Sequence, residues 1–348
     1  MKKTLVALAV AAFATSASAL TVYENEGTKV DMNGKVRVIL EKETDKRPDL
    51  KNDGSGLSFS VSHKLSDDVK VIGAVATSFK KTVETDEYYV GFDSKSAGKL
   101  TFGNHDTSTA GLDKSGSTTK YGGVGQTTNS GEKAITYASP SFGGFSFGAH
   151  YLLGNTDKKA LATKASDGYS QGFGGALKFE HKVEDLKFAV NGGFTQENYK
   201  TAIGNVKRNA FIASTGVEND MFKVGVTYTE AKTSKKVDYN TYKYVDNGTQ
   251  ESVELALNKL SQLGVGAKVV AMKQSDTELA LYGHYTNIRG QKSDKSVKLT
   301  ANKFVVGTSY KFHKQASTFV DFMTVKGKVN NTSFKRDNKV GVGLRVWF

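Results

Sequence analysis

The sequence has no cysteine and only two prolines, Pro48 and Pro140, in 348 residues. An exported chain without cysteine is not held by disulfides. Two soluble domains would normally be joined by a proline-bearing linker, and no Ser/Pro/Gly-rich stretch or composition break divides this chain, so it reads as one domain. Long apolar runs are also missing. The longest, Leu5 to Ala14, falls far short of the ~20 residues a spanning helix needs. It follows Lys2 and Lys3 and precedes the small residues Ala17-Ser18-Ala19, the pattern of a secretory signal peptide at 1–19 cut before Leu20. Acidic residues are the scarcer sign. The formal charge is +13, or about +11 once Lys2 and Lys3 leave with the leader, an excess that suits anionic solutes, lipid phosphates or nucleic acid.

What the chain does have is alternation. In the last ten residues Val340, Val342, Leu344, Val346 and Phe348 share one parity, and Lys339, Gly341, Gly343, Arg345 and Trp347 the other. Side chains alternate faces along a strand, so one face is wholly apolar. The last strand of a soluble β-sandwich is one reading; a strand closing a membrane barrel, with its apolar face on lipid and an aromatic at the interface, fits the abrupt aromatic end better. The same pattern recurs along the chain, as in Val36, Val38 and Leu40 against Lys35, Arg37, Ile39 and Glu41, or Leu57, Phe59 and Val61 against Ser58, Ser60 and Ser62.

The count comes to about 16 strands, and roughly 329 mature residues give about 20 per strand and connection, as in an all-β, closed antiparallel transmembrane β-barrel. Connections mostly alternate between short and long. Mean hydropathy of −0.40 does not oppose a membrane location, because only alternate residues meet lipid. The segment Glu251 to Leu263 fits either a strand (Val253, Leu255, Leu257) or a short helix (Leu257, Leu260, Leu263). From Asp106 to Glu132 strand periodicity stops in a Gly/Ser/Thr-rich stretch, a loop of a length that is usually functional or disordered.

Signals of catalysis or cofactors are weak. Gly103-Asn104-His105-Asp106 resembles one metal motif of metallophosphoesterases, but no further Asp/His cluster accompanies it. Gly122-Gly123-Val124-Gly125 precedes no helix and fails the dinucleotide context. A Ser/His/acid triad needs no sequence proximity, and nothing points to one. No cofactor or metal is expected, and the chain is not expected to be an enzyme. Basic clusters at Lys232, Lys235 and Lys236, at Arg289, Lys292, Lys295 and Lys298, and at Lys326, Lys328, Lys335, Arg336 and Lys339 read as solvated loops, contacts to anionic lipid, or steering of anionic solutes. Nucleic acid is not an expected partner of an exported barrel.

The chain resembles the general trimeric porins of Gram-negative outer membranes, most nearly the major porins of Pasteurellaceae. The resemblance rests on Met1 to Leu5, Val22-Tyr23 with Gly27-Thr28-Lys29-Val30, the stretch Tyr137 to Phe145, and the ending Val340 to Phe348. It implies a 20–348 barrel in homotrimers, set in outer-membrane lipid and lipopolysaccharide, with passive diffusion of small hydrophilic solutes and ions through a water-filled pore. It also implies an inward-folded third outer loop, here Asp106 to Glu132, and a constriction where loop carboxylates face a basic wall. The acidic candidates are Asp106, Asp113 and Glu132; the wall candidates by lumen parity are Lys35, Arg37, Lys70, Lys80, Lys99 and Lys178. Where relatives often carry wall arginines this chain has Gly56, Ser78 and Asn104, and the loop itself contains Lys114 and Lys120. The expectation is therefore a diffusion channel with a weak preference for anions. A blocked barrel acting as an adhesin through its basic loops is the alternative, and a barrel hydrolase is a more distant one.

Overall fold

The computed structural model describes residues 19–80, 82–118, 120–156, 161–162, 169–202, 204–234, 237–245 and 252–348. The signal-peptide segment lies outside them except for its last residue.

Its strands are β1 (Leu20–Asn25), β2 (Thr28–Glu43), β3 (Asp49–Asn52), β4 (Gly56–Lys64), β5 (Val69–Phe79), β6 (Val83–Ser94), β7 (Gly98–Asp106), β8 (Ser130–Ala138), β9 (Phe145–Leu152), β10 (Gln171–Val183) and β11 (Leu186–Thr201). They continue with β12 (Gly204–Glu218), β13 (Phe222–Thr233), β14 (Asn240–Val245), β15 (Ser252–Leu257), β16 (Lys259–Gln274), β17 (Thr277–Gln291), β18 (Lys298–His313), β19 (Ala316–Val329), β20 (Thr332–Ser333) and β21 (Asp337–Trp347).

Sixteen of these form a closed antiparallel barrel, each paired with its neighbour from β4 round to β19, with β14 and β15 set aside as a separate hairpin. Closure falls on β2. Its second half pairs with β21, from Lys35↔Trp347 to Glu43↔Lys339, and its first half with β1. Gly34 and Phe348 exchange two backbone hydrogen bonds, at 2.7 and 2.9 Å. Closure removes the unpaired edge that an open sheet would leave in lipid.

The alternation seen in the sequence sets the two faces. Val36, Val38 and Leu40 of β2 and Val340, Val342 and Leu344 of β21 are exposed on the outside, and Leu177 of β10 is 70% exposed. Thr227, Thr286, His284 and Asp321 are buried on the inside. Polar groups inside and apolar groups outside invert the arrangement of a soluble domain and match a barrel whose solvent is lipid.

The N-terminal hairpin β1–β2 is longer than the periodicity suggests. It turns at Glu26-Gly27, both at positive φ (48° and 78°), as a two-residue hairpin with a primed turn requires. The segment left open between strand and helix is strand: β15 and β16 occupy it from Ser252 on. The hairpin β14–β15 folds over the outer end, where Leu257 packs with Leu260, Ile288, Leu299, Ala301 and Phe334, and Tyr242 and Tyr244 lie against the same cluster. The third outer loop is shorter than the aperiodic stretch. β7 runs through Asp106 and β8 starts at Ser130, so the loop is 107–129. The Gly and Ser residues around β8 hide its first residues from a periodicity reading.

At the closure, a Cβ on Gly34 would lie 2.1 Å from the Phe348 ring. Gly34→Val should therefore cost about 1–3 kcal/mol of overpacking and lower the temperature at which the folded electrophoretic band is lost in detergent. Gly192→Val, whose Cβ would meet nothing within 4 Å, should leave that temperature unchanged. Equal behaviour of the two variants would remove Gly34–Phe348 from the closure.

Candidate pore and its constriction

The loop 107–129 is bound to inward-facing groups around much of the barrel. Leu112 is buried with Ala176 of β10 and Ile212 of β12, and its carbonyl accepts from Asn191 of β11 at 3.3 Å and from Ser214 of β12. Its backbone then lies flat against the wall. A Cβ on Gly225 would sit 1.9 Å from the carbonyl oxygen of Lys114, and one on Gly266 would sit 1.8 Å from that of Ser115. Glycine is required there by close approach alone. Further on, the Ser117 hydroxyl donates to the carbonyl of Gly283 at 2.9 Å, the N–H of Lys120 donates to Asp321 at 2.8 Å, and Lys303 reaches the carbonyl of Tyr121 at 3.0 Å. The Tyr121 hydroxyl donates to Glu41 at 2.6 Å. Arg208 closes the return limb, donating to the carbonyl of Gln126 at 2.8 Å and to Glu197 at 3.0 Å.

Asp113 ties the two limbs of the loop together. One carboxylate oxygen accepts from Thr227 at 2.6 Å and from the hydroxyl and N–H of Ser115 at 2.7 and 2.9 Å; the other accepts from the N–H of Val124 at 3.0 Å. Burial opposes its charge, but these donors outweigh burial and hold the carboxyl below the usual carboxylate range.

Arg37 and Arg345 converge from β2 and β21 on Asp53, at 3.1 and 2.7 Å, and Lys120 of the loop joins them on the same carboxylate. Asp53 sits where β3 breaks before β4, and its side chain is 1% exposed. Arg37 therefore meets a wall carboxylate and a loop lysine, and Asp113 is engaged elsewhere. Lys114 pairs with Glu180 at 3.5 Å.

Among the described residues, no hydrogen bond runs from the loop to β4, β5 or β6. The open space lies there. One cavity is lined by Lys35, Asp86, Glu87 and Trp347. The next is lined by Glu87, Tyr89, Lys99, His105, Asp106 and Lys178. The structure thus brings Lys35, Lys99, Lys178 and Asp106 to the lumen space. It sets three candidates apart: Lys70 follows the short turn at 65–68, Lys80 lies in the outer turn paired with Glu84 at 2.5 Å, and Glu132 is exposed where β8 carries an extra residue opposite β7. The His105 ring packs edge-on against Tyr89 and hydrogen-bonds the Asp106 carbonyl at 2.7 Å; among the described residues no cluster of three or more His, Asp or Glu side chains gathers around it.

Sequence reading missed Asp53, Arg345, Asp86 and Glu87 as lumen groups. Parity with Tyr89 could have found Glu87. Asp86 could not be found that way, because a bulge in β6, between the pairs Ala76↔Glu87 and Thr77↔Thr85, turns both carboxylates inward; Ser78 donates to Asp86 at 2.8 Å.

A family model described as Gram-negative porin matches residues 4–330. The chain belongs to the Gram-negative porin family. It is 34% identical to the major outer membrane protein of Pasteurella multocida over 375 residues, covering all of both chains. Its fold is similar to that of Salmonella typhi OmpF (TM-score 0.69, 14% identity, 95% of this chain and all of that one). It is also similar to OmpT of Vibrio cholerae in its trimer form (TM-score 0.66, 16% identity, 92% of this chain and all of that one). This porin is thus a multi-pass outer-membrane channel of a Gram-negative bacterium.

Two expectations follow for the loop of the porin. Gly266→Val should push Ser115 off the wall, giving single-channel current with fresh open-state fluctuations, whereas Gly192→Val should conduct as the parent does; quiet current from the first variant would show that the close approach is dispensable. The Asp113 tether is fully present above the ordinary carboxylate value of 3.8 and is lost as pH falls through the lower folded-state value. Recordings between pH 7 and 4 should therefore show a steady open level, with loop noise rising only in stronger acid.

Proposed function

We propose that this porin is a passive diffusion channel for small hydrophilic solutes and ions, narrowed by the loop 107–129 and lined at the narrowing by Lys35, Arg37, Lys99, Lys178, Asp106, Asp86 and Glu87. The observation that carries this reading is the one-sided fastening of the loop. Leu112, Asp113 and Tyr121 hold it to the walls from β10 round to β2, and the space beside β4 to β7 is left to charged and polar side chains. Selection in such a space comes from width and lining charge, with no covalent chemistry. Overall basicity has little say, because exposed charges more than ~8 Å away are screened in physiological salt.

Three chains assemble into a homotrimer in this proposal, each with its own pore, as the similarity to a neighbour described in trimer form suggests. The exposed apolar belt meets outer-membrane lipid, and basic groups of the outer loops such as Lys292 and Lys295 meet lipopolysaccharide phosphates. The leader 1–19 is removed, and the mature chain starts at Leu20, the first residue of β1.

Purified protein in a planar bilayer is expected to give stable conductance arriving in steps of three, and sugar-loaded vesicles containing it should swell. Folded, inserted protein without conductance would overturn the channel reading. Single steps only would overturn the trimer.

A further inference from the structure

The hairpin β14–β15 leans on the inner wall at the outer end of the barrel. Leu260 of β16, Ile288 of β17, and Leu299 and Ala301 of β18 form an apolar patch there, on a face that is otherwise polar. Leu257 is buried on this patch, and Leu255, Tyr242 and Tyr244 pack against it. The two strands of the hairpin are paired from Asn240↔Leu257 to Val245↔Ser252. Apolar contact with the wall and pairing within the hairpin therefore hold the two tyrosines in place.

Between this hairpin and the closure strands lies a cavity of 630 Å³, a size usual for small-molecule sites. Its far side is the outer turn after β2 and the segment leading into β21. The cavity lies above the loop. Glu43 lines it, and Glu41, the next inward-facing residue of β2, accepts from Tyr121 of the loop, about 7 Å lower at the usual strand rise. A solute entering from the outer end meets this cavity before the narrowing. Five cations and three carboxylates line it. Most are paired: Lys335 with Asp45, Lys339 and Lys46 with Glu43, and Lys243 with Glu254. Arg336, exposed, and Asp337, half-buried, make no side-chain hydrogen bond or ion pair to a described residue. Nor do the hydroxyls of Tyr242 and Tyr244. Burial pushes the Tyr242 hydroxyl up to about 12, so it keeps its proton and can donate at neutral pH. The two tyrosine rings are tilted by 48° and 40° against Phe334, which gives the cavity an angled aromatic side.

We propose that this cavity captures an anionic sugar, a pyranose bearing a carboxylate or a phosphate, on its way to the narrowing. The inference rests on the channel reading. A pyranose has an apolar C–H face and an edge of hydroxyls. The face rests on Tyr242 and Tyr244, whose rings are apolar and whose tips are polar. The edge bonds to their hydroxyls and to the Asp337 carboxylate. The acid group pairs with Arg336, whose planar fork fits carboxylate and phosphate alike. Other solutes use less of the site. An inorganic anion leaves the rings uncovered, a neutral sugar leaves Arg336 without a partner, and an apolar solute would strip water from charged groups and return nothing to them. Binding of this kind is weak in a passive channel, because a solute held tightly does not leave.

The test is single-channel current through the full-length porin, with probes added on the side of the long loops at matched ionic strength. The probes are glucuronate and glucose 6-phosphate, with glucose, acetate and inorganic phosphate as comparisons. Both sugar acids should lower the current saturably, and the one with the lower half-blocking concentration identifies the preferred acid group. Arg336→Gln and Tyr244→Ala should each raise that concentration about fivefold, the worth of one net hydrogen bond. Lys80→Gln, in a different outer turn, should match the parent. Each variant is first shown to be folded by its heat-dependent electrophoretic mobility. Acetate or phosphate blocking as well as the sugar acids do overturns the sugar assignment, and glucose blocking equally well overturns the anionic one. Block that neither Arg336→Gln nor Tyr244→Ala weakens overturns the placement in this cavity. No block by any probe in a conducting parent overturns the inference while leaving the channel reading intact. Absence of conductance in the parent overturns the channel reading instead.

Discussion

Everything in this protein depends on the sheet having no edge. A peptide group in hydrocarbon has no water to bond with, so every barrel strand must be paired on both sides. The two hydrogen bonds between Gly34 and Phe348, and the ladder from Lys35↔Trp347 to Glu43↔Lys339, join the first long strand to the last. These pairings join residues more than 290 positions apart. A glycine on the outer face lets the terminal ring lie across the seam, so the closing contact combines backbone pairing with aromatic burial at one point.

Closure also creates the interior in which the loop can work. A loop lying in open water would pay for its ordering with few returns. Inside the barrel it meets a wall already lined with hydroxyls, amides and glycines. Thr227 both accepts from the backbone of Lys114 and Ser115 and donates to Asp113. Gly225 and Gly266 remove the side chains that would hold the loop backbone off the wall. The aperture is thus what remains after the loop has satisfied its polar groups on one side.

The barrel was legible in the sequence because its physics has a period of two. Val36, Val38 and Leu40 announce a lipid face, and Ser58, Ser60 and Ser62 a wet one, by their spacing alone. The break in that period, read as Asp106 to Glu132 and found at 107–129, was legible for the same reason. The pairings within the pore were not. Nothing in sequence spacing brings Asp53 to Arg345, 292 positions away, since that contact exists only through closure. Asp113, expected to face the basic wall, is tied to Thr227, Ser115 and Val124, and Arg37 meets Asp53. Asp86 was hidden by a single extra residue, to which a strict alternation is blind.

That extra residue has a genetic consequence. In most of these strands, losing one codon would swap the lipid and water faces beyond the lesion and destroy the barrel. At the bulge the strand already carries one residue more than its partner between Glu87 and Thr85. Removal of Asp86 would restore simple pairing, leave Tyr88, Val90 and Phe92 facing lipid, and halve the neighbouring carboxylates on the bare wall. β6 is therefore a place where an in-frame deletion, normally the most damaging change in a membrane barrel, can act as a graded adjustment of the pore's charge.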